Sequence, residues 1–183
     1  SVFDKAAGRR SSRLPFQFVD LANVDRRRFA FGRICAEYGK ASVEYLDAAM
    51  DLLAARSIDC LVTGPISKEA VHKAGYAYGG HTEYLAAKAN RPGVVMMLVN
   101  DFFRFSLVTR HVPLSRVGST LNRAAICSTL RITRDALQRL FGIRKPRIIV
   151  LGLNPHGSDN GIIGNEENSV IRPALRACRL AGV

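Results

Sequence analysis

Short apolar runs alternate along this chain with longer stretches whose apolar residues recur every three or four positions, and that alternation most limits what it can fold into. Val94–Val99 is a continuous apolar run, the pattern of a strand covered on both faces. Asn100-Asp101 is a turn signal, and Phe103, Phe105 and Leu107 then alternate with Arg104 and Ser106, so a half-buried strand returns antiparallel. Asn122–Phe141 keeps Ile126, Leu130, Thr133, Leu137 and Leu140 on one helical stripe and stops at Gly142 and Pro146. Arg147–Leu153 reads as the next buried strand. Strands alternating with helices, plus one hairpin, predict a mixed α/β sheet covered by helices.

The earlier part of the chain follows the same logic. Between Arg33 and Arg56, Val43, Leu46, Met50 and Leu53 step by helical spacings, and Gly39 marks a break or a close approach. Asp59–Val62 reads as a short buried strand ending at Thr63-Gly64-Pro65. Ser67 suits the N-cap of a short helix closed by Gly75, and Gly79-Gly80 opens another at Tyr84–Ala89 that must stop before Pro92. Ser1–Asn23 is polar and basic, with a short strand expected at Phe16–Leu21 and a solvated arm at Gly8–Arg13. At the other end, Glu166–Arg179 reads as a helix bent by Pro173, and the chain is expected to continue past Val183.

The net charge of +12 narrows the partners to anions. The basic residues are scattered, with short clusters at Arg9–Arg13 and Arg26–Arg28, and no basic patch interleaved with aromatics appears, so no nucleic-acid partner is expected. No apolar run approaches the length of a membrane span and no leader-like apolar segment opens the chain, so no membrane partner is expected. Cys35, Cys60, Cys127 and Cys178 are widely spaced among apolar neighbours, which fits buried or half-buried thiols in the reducing cytoplasm.

Chemistry concentrates in Leu151–Glu167, where an apolar run ends in Asn154-Pro155-His156 and a glycine-rich loop leads to Glu166 and Glu167. Open α/β sheets place reactive groups at such strand ends. His81 and His111 also follow strand or loop ends, so the three imidazoles could share one rim of a sheet, either as metal ligands or as hydrogen-bonded structural residues. His72, beside Lys73, reads as a surface residue. Lys68, near a helix N-terminus after a Gly-Pro turn, is placed either to meet an anion or to stand in solvent. Glu166 and Glu167 fit the positive end of a helix dipole. There is no GxSxG, GxGxxG or P-loop.

Four pieces read together carry a family resemblance: Val62-Thr63-Gly64-Pro65-Ile66-Ser67-Lys68, Gly80-His81-Thr82-Glu83, Thr109-Arg110-His111-Val112-Pro113-Leu114 and Gly152-Leu153-Asn154-Pro155-His156. In this order the chain resembles the 4-hydroxythreonine-4-phosphate dehydrogenase family of vitamin B6 biosynthesis, from about Phe31 to Val183. The resemblance implies an NAD- or NADP-dependent, divalent-metal-dependent oxidation of a phosphorylated four-carbon hydroxy acid, followed by loss of CO₂. It also implies a three-layer α/β/α fold with a mixed, mostly parallel sheet, like that of isocitrate and isopropylmalate dehydrogenases, with active sites at the interface of a homodimer. On this resemblance His81 and Thr82 bind substrate, and His111 and His156 ligate the metal (zinc, or magnesium or cobalt). Lys68 serves the substrate phosphate or proton transfer, and no cofactor-binding residue is assigned. Residues 1–183 then form the central portion of a two-domain enzyme, with the third metal ligand outside it.

The chain departs from the family pattern after His156, where Gly157-Ser158-Asp159-Asn160-Gly161 replaces an Ala-Gly-Glu-Gly run. Asn165 also stands where Arg or Thr is common. These departures leave two alternatives beside the dehydrogenase of vitamin B6 synthesis. One is a paralogous enzyme acting on D-threonate or D-erythronate 4-phosphate; the other is a non-catalytic phosphate-binding remnant.

Overall fold

Ser67 accepts a hydrogen bond from the amide of Ala70 at 3.2 Å, and Asn122 accepts one from Ala125 at 2.9 Å. These two caps start helices where the sequence places them. The computed structural model describes residues 17–91, 93–180 and 182. The Arg9–Arg13 cluster, Phe16, Pro92 and Val183 lie outside them. Within them run α1 (Ala36–Ala54), α2 (Lys68–Lys73), α3 (His81–Lys88), β1 (Met96–Val99), β2 (Arg104–Leu107), α4 (Val117–Thr120), α5 (Arg123–Arg139) and α6 (Arg172–Leu180). The chain divides into two compact units, the first ending at Asn90 and the second starting at Arg91.

In the first unit, α1 packs on α2 at one point of very close approach. Gly39 lies inside the continuous α1, so it marks the close approach and not a break, and it is buried against the backbone of α2. A Cβ at position 39 would overlap the carbonyl of Ala70 and stand 2.7 Å from the amide nitrogen of Val71. The close approach lets Val43 and Leu46 of α1 meet Val71 of α2 and Tyr84 of α3 in one apolar cluster. Gly75, at φ 87°, ends α2 as expected. α3 begins at His81, three residues before the expected start, with Gly80 at its N-cap position.

In the second unit, β1 and β2 pair antiparallel, with Met96 opposite Leu107 and Val99 opposite Arg104. Asn100 makes the turn: its side-chain oxygen accepts from the amides of Phe102 and Phe103 at 2.9 and 2.7 Å. α5 docks on β2 through a Thr133–Ser106 hydroxyl bond of 2.8 Å, and Arg104 stacks 4.5 Å from the ring centroid of Phe141, two residues past the end of α5. Ile126 of α5, Ile171 and Ala174 of the C-terminal helical segment form the core here.

Several strand expectations are corrected. Asp59–Val62 and Arg147–Leu153 carry no sheet ladder among the described residues, and Phe18 makes only an isolated bridge. β1 is half-buried at Met96 and Met97, but Leu98 and Val99, which point to opposite faces, are 54% and 52% exposed, so its end is covered on neither face. The sheet among the described residues is a two-stranded hairpin, which is compatible with an α/β class and leaves the three-layer detail as an expectation. Residues 147–151 nevertheless alternate between exposed and half-buried positions, the period of a strand with one face against helices. Cys60 is exposed, whereas Cys178 is buried and Cys35 and Cys127 are half-buried; all four are free thiols. No helix among the described residues is long and apolar enough to cross a membrane.

Gly39→Ala is expected to destabilise the first unit by about 3 kcal/mol, because the clash is with backbone and cannot be relieved by a side-chain rotation. Urea unfolding followed by circular dichroism measures this; an unchanged midpoint would mean that α1 and α2 do not approach this closely.

Candidate functional site

The first unit sets Lys68, His81 and Thr82 in one corner. Lys68 is the first residue of α2, and its Cε lies 3.7 Å from where a Cβ on Gly80 would stand. His81 and Thr82 follow at once as the first two residues of α3. The first amides of a helix have no partner within it, so this corner combines free N–H groups, the positive end of a dipole and an ammonium. The Glu83 carboxylate shares the corner, its Oε2 3.6 Å from the same Cβ position, and an anion such as a phosphate monoester would be met there by Lys68 and the amides.

A polar chain fixes α3 against α1. The hydroxyl of Tyr84 donates to Asp47, and Lys88 reaches the same carboxylate oxygen at 2.8 Å. Burial, then the bond to Asp47, raises the Tyr84 phenol well above its ordinary value. Burial opposes ionisation of Asp47, but the bonds from Lys88 and Tyr84 outweigh it and hold the carboxyl below its usual range. The position of His81 is thereby referred to the long helix α1. Sequence reasoning missed this chain, since three polar residues spread over α1 and α3 carry no local signature.

The second unit carries His111 and His156. Both are exposed, and both sit on left-handed backbone, at φ 51° and 52°. Non-glycine residues seldom adopt that region, and when they do the surroundings must enforce it. Before His111, the Arg110 guanidinium donates to the carbonyl of Val94 at 3.1 Å and ties the end of the hairpin down. His156 belongs to a full left-handed turn, His156 to Asn160, inside the segment Pro155–Gly161.

The start of that turn is held by two carboxylates. Glu167 Oε1 accepts from the amides of Leu153 and Asn154 at 2.8 and 2.6 Å, and its Oε2 accepts from the Asn154 side-chain amide at 2.9 Å. Glu166 Oε2 accepts from that same amide at 2.7 Å and from the amide of Asn165 at 3.0 Å. The turn closes where Gly157 donates to the Asn154 carbonyl at 3.2 Å and Ile163 to that of Ser158 at 3.1 Å. Gly164, at φ 95°, has no room for a side chain: a Cβ would stand 2.7 Å from Asn154 Nδ2. Glu166 and Glu167 therefore do more than balance a helix dipole. The sequence signal was the single pair of acids two residues after Gly164, but not the direction in which they reach.

Helical structure after them begins as a π-type turn, Glu167–Ile171, leading into α6. Pro173 has no N–H to give to the carbonyl four residues earlier, so the expected disturbance is a widened turn before the proline.

The backbone bond from Asn154, then its side-chain amide, pulls the Glu167 carboxyl from 4.5 down to about 2. The side-chain amide of Asn154 likewise lowers Glu166. Among the described residues, no group of three or more His, Cys, Asp or Glu side chains is arranged to hold a metal ion. His111 and His156 are the right donor type, but two imidazoles fall one short of the three protein ligands of an open catalytic site.

Sequence and structure comparisons fit this framework. The family profile described as pyridoxal phosphate biosynthetic protein PdxA matches residues 3–183. A curated 4-hydroxythreonine-4-phosphate dehydrogenase from Desulforapulum autotrophicum is 38% identical over 98% of this chain and 53% of its own length. One of the same name from Sulfurihydrogenibium sp. is 42% identical over 90% of this chain and 51% of its own. The crystal structure of 4-hydroxythreonine-4-phosphate dehydrogenase from Klebsiella pneumoniae superposes with a TM-score of 0.86 at 32% identity, covering 91% of this chain and 50% of that one. The chain belongs to the PdxA family. It spans about half the length of the curated relatives it matches.

Because Glu167 is depressed on folding, its contribution to stability is complete above about pH 4.5 and is lost as pH falls toward 2. The urea midpoint should fall across that window, and Glu167→Gln should flatten the fall. An equally steep acid dependence in the variant would show that the carboxylate is not held as described.

Proposed function

We propose that this chain is part of an NAD(P)-dependent 4-hydroxythreonine-4-phosphate dehydrogenase. The substrate would be 4-phosphohydroxy-L-threonine. Its secondary hydroxyl loses a proton to a base and its carbon a hydride to the nicotinamide, giving 2-amino-3-oxo-4-phosphooxybutanoate. That β-keto acid loses CO₂ to leave 3-amino-2-oxopropyl phosphate. The observation that carries the proposal is the corner of Lys68, Gly80, His81 and Thr82, where an ammonium side chain runs beside unpaired helix amides. Its chemistry suits the phosphate of such a substrate, and membership of the PdxA family supports the same assignment.

In this scheme His81 and Thr82 hold the substrate, and Lys68 neutralises its phosphate or carries a proton. His111 and His156 are the two metal ligands this chain provides, with the third supplied from outside it. A divalent ion (zinc, magnesium or cobalt) bound there would act as a Lewis acid toward the substrate hydroxyl. The scheme also includes a three-layer α/β/α enzyme of two domains, a homodimer in the cytoplasm, with residues 1–183 as its central portion.

A second substrate class, D-threonate or D-erythronate 4-phosphate, is favoured by the Gly157–Gly161 sequence that replaces the usual run beside His156. Nicotinamide reduction by the chain extended to its natural ends, assayed on all three compounds, separates the two. Turnover is expected on 4-phosphohydroxy-L-threonine; preference for a sugar acid would move the assignment to the second class, and no turnover on any would leave a phosphate-binding remnant. His111→Ala and His156→Ala should each lose bound metal and on the order of 100-fold or more in turnover, since even residues behind a metal ligand commonly cost 10–100-fold. Unchanged metal content in both would remove them from the ligand set.

A further inference from the structure

Asn154 stands two residues before His156, and both its backbone N–H and its side-chain NH₂ donate to Glu166 or Glu167. We propose that Glu167, helped by Glu166, is a positioning residue for His156, acting through Asn154 and the left-handed turn. The inference rests on the proposed role of His156 in the site and adds a residue that does not itself touch substrate.

The geometry favours positioning over simple capping. Glu167 reaches back over thirteen residues to Asn154 and fourteen to Leu153, and its residue is only 5% exposed. Its two oxygens engage three donors, so the carboxylate fixes both the backbone and the side-chain plane of Asn154. With Asn154 fixed, its carbonyl accepts from the amide of Gly157 and closes the chain between them, which includes His156, into a turn. Three glycines leave room for the arrangement. A Cβ on Gly152 would approach Glu167 Oε1 to 3.3 Å, and one on Gly164 would stand 2.8 Å from Glu166 Oε2. One on Gly118, in α4, would stand 3.0 Å from Glu166 Oε1. The buried Glu167 and the half-buried Glu166 are thus closely flanked by backbone, as groups that set geometry should be.

The test uses the chain extended to its natural ends, with Glu167→Gln as the main variant. Glutamine keeps an oxygen for the amides of Leu153 and Asn154, but turns an NH₂ toward the Asn154 amide in place of an acceptor. Three measurements are made: the fold by circular dichroism, the imidazole ¹⁵N resonances of His156 without substrate or metal, and kcat and KM separately. The His156 signals are assigned by their loss in His156→Ala. The expected result is a native fold, displaced or broadened His156 resonances with those of His72 unmoved, and a kcat lowered roughly 10–100-fold at a KM changed less than about threefold. Unmoved His156 resonances overturn the proposal, whether or not kcat falls. If the glutamine variant does not fold, Asn154→Ala keeps the backbone bonds and loses the two side-chain bonds to Glu166 and Glu167, and the same resonances decide. Full turnover by His156→Ala would instead refute the role of His156 in the site, while the resonance shift would still report whether Glu167 positions it.

Discussion

A carboxylate that accepts three hydrogen bonds is the interaction on which the second unit's candidate site depends. Glu167 binds the two residues that launch the left-handed turn, and bonds to an ionised acceptor are the strong class. The turn needs such support. A left-handed conformation costs roughly 1–2 kcal/mol per non-glycine residue. Four of the five residues from His156 to Asn160 are not glycine. A loop left to itself would relax. Here it is bounded at its start by Asn154 and at its end by the bonds from Ile162 and Ile163.

Much of the scaffold was legible because it is written in local signals. Ser67 and Asn122 are hydroxyl and amide caps that act within three residues, and the stripes of α1 and α5 repeat at helical spacing. The candidate residues were singled out by position: His81 opens α3, His111 lies in the loop after β2 and His156 in the left-handed turn, where side chains can be turned outward. What could not be read was what holds them. The Tyr84–Asp47–Lys88 chain and the grip of Glu167 on Asn154 join residues that are far apart in sequence, and no periodicity records such a bond. The left-handed run was hidden for a related reason, since Asp and Asn favour that backbone as single residues, whereas here five consecutive residues adopt it.

The unformed strands teach the converse. Arg147–Leu153 has the composition of a strand and the alternating burial of one, with Ile148 and Val150 half-buried while Ile149 is 84% and Leu151 70% exposed. Apolar alternation reports that a segment suits a sheet, but a ladder needs a neighbour to supply donors and acceptors. Asp59–Val62 behaves the same way, with Val62 89% exposed. Both segments lead toward candidate site residues, Lys68 in one case and His156 in the other, so the framework that carries the chemistry is the part that local pattern settles least.

One feature of the C-terminal helical segment bears on how its register is chosen. Glu167, Ile171, Ala174 and Cys178 are its buried residues and lie along a single stripe. Apolar side chains alone tolerate an axial slip, because one methyl group packs against a neighbour much as another does. A carboxylate that must meet three donors tolerates none. Glu167 therefore works as an index pin: it sets the axial position of the helix, and Ile171 and Ala174 meet Ile126 at the one height that this pin allows.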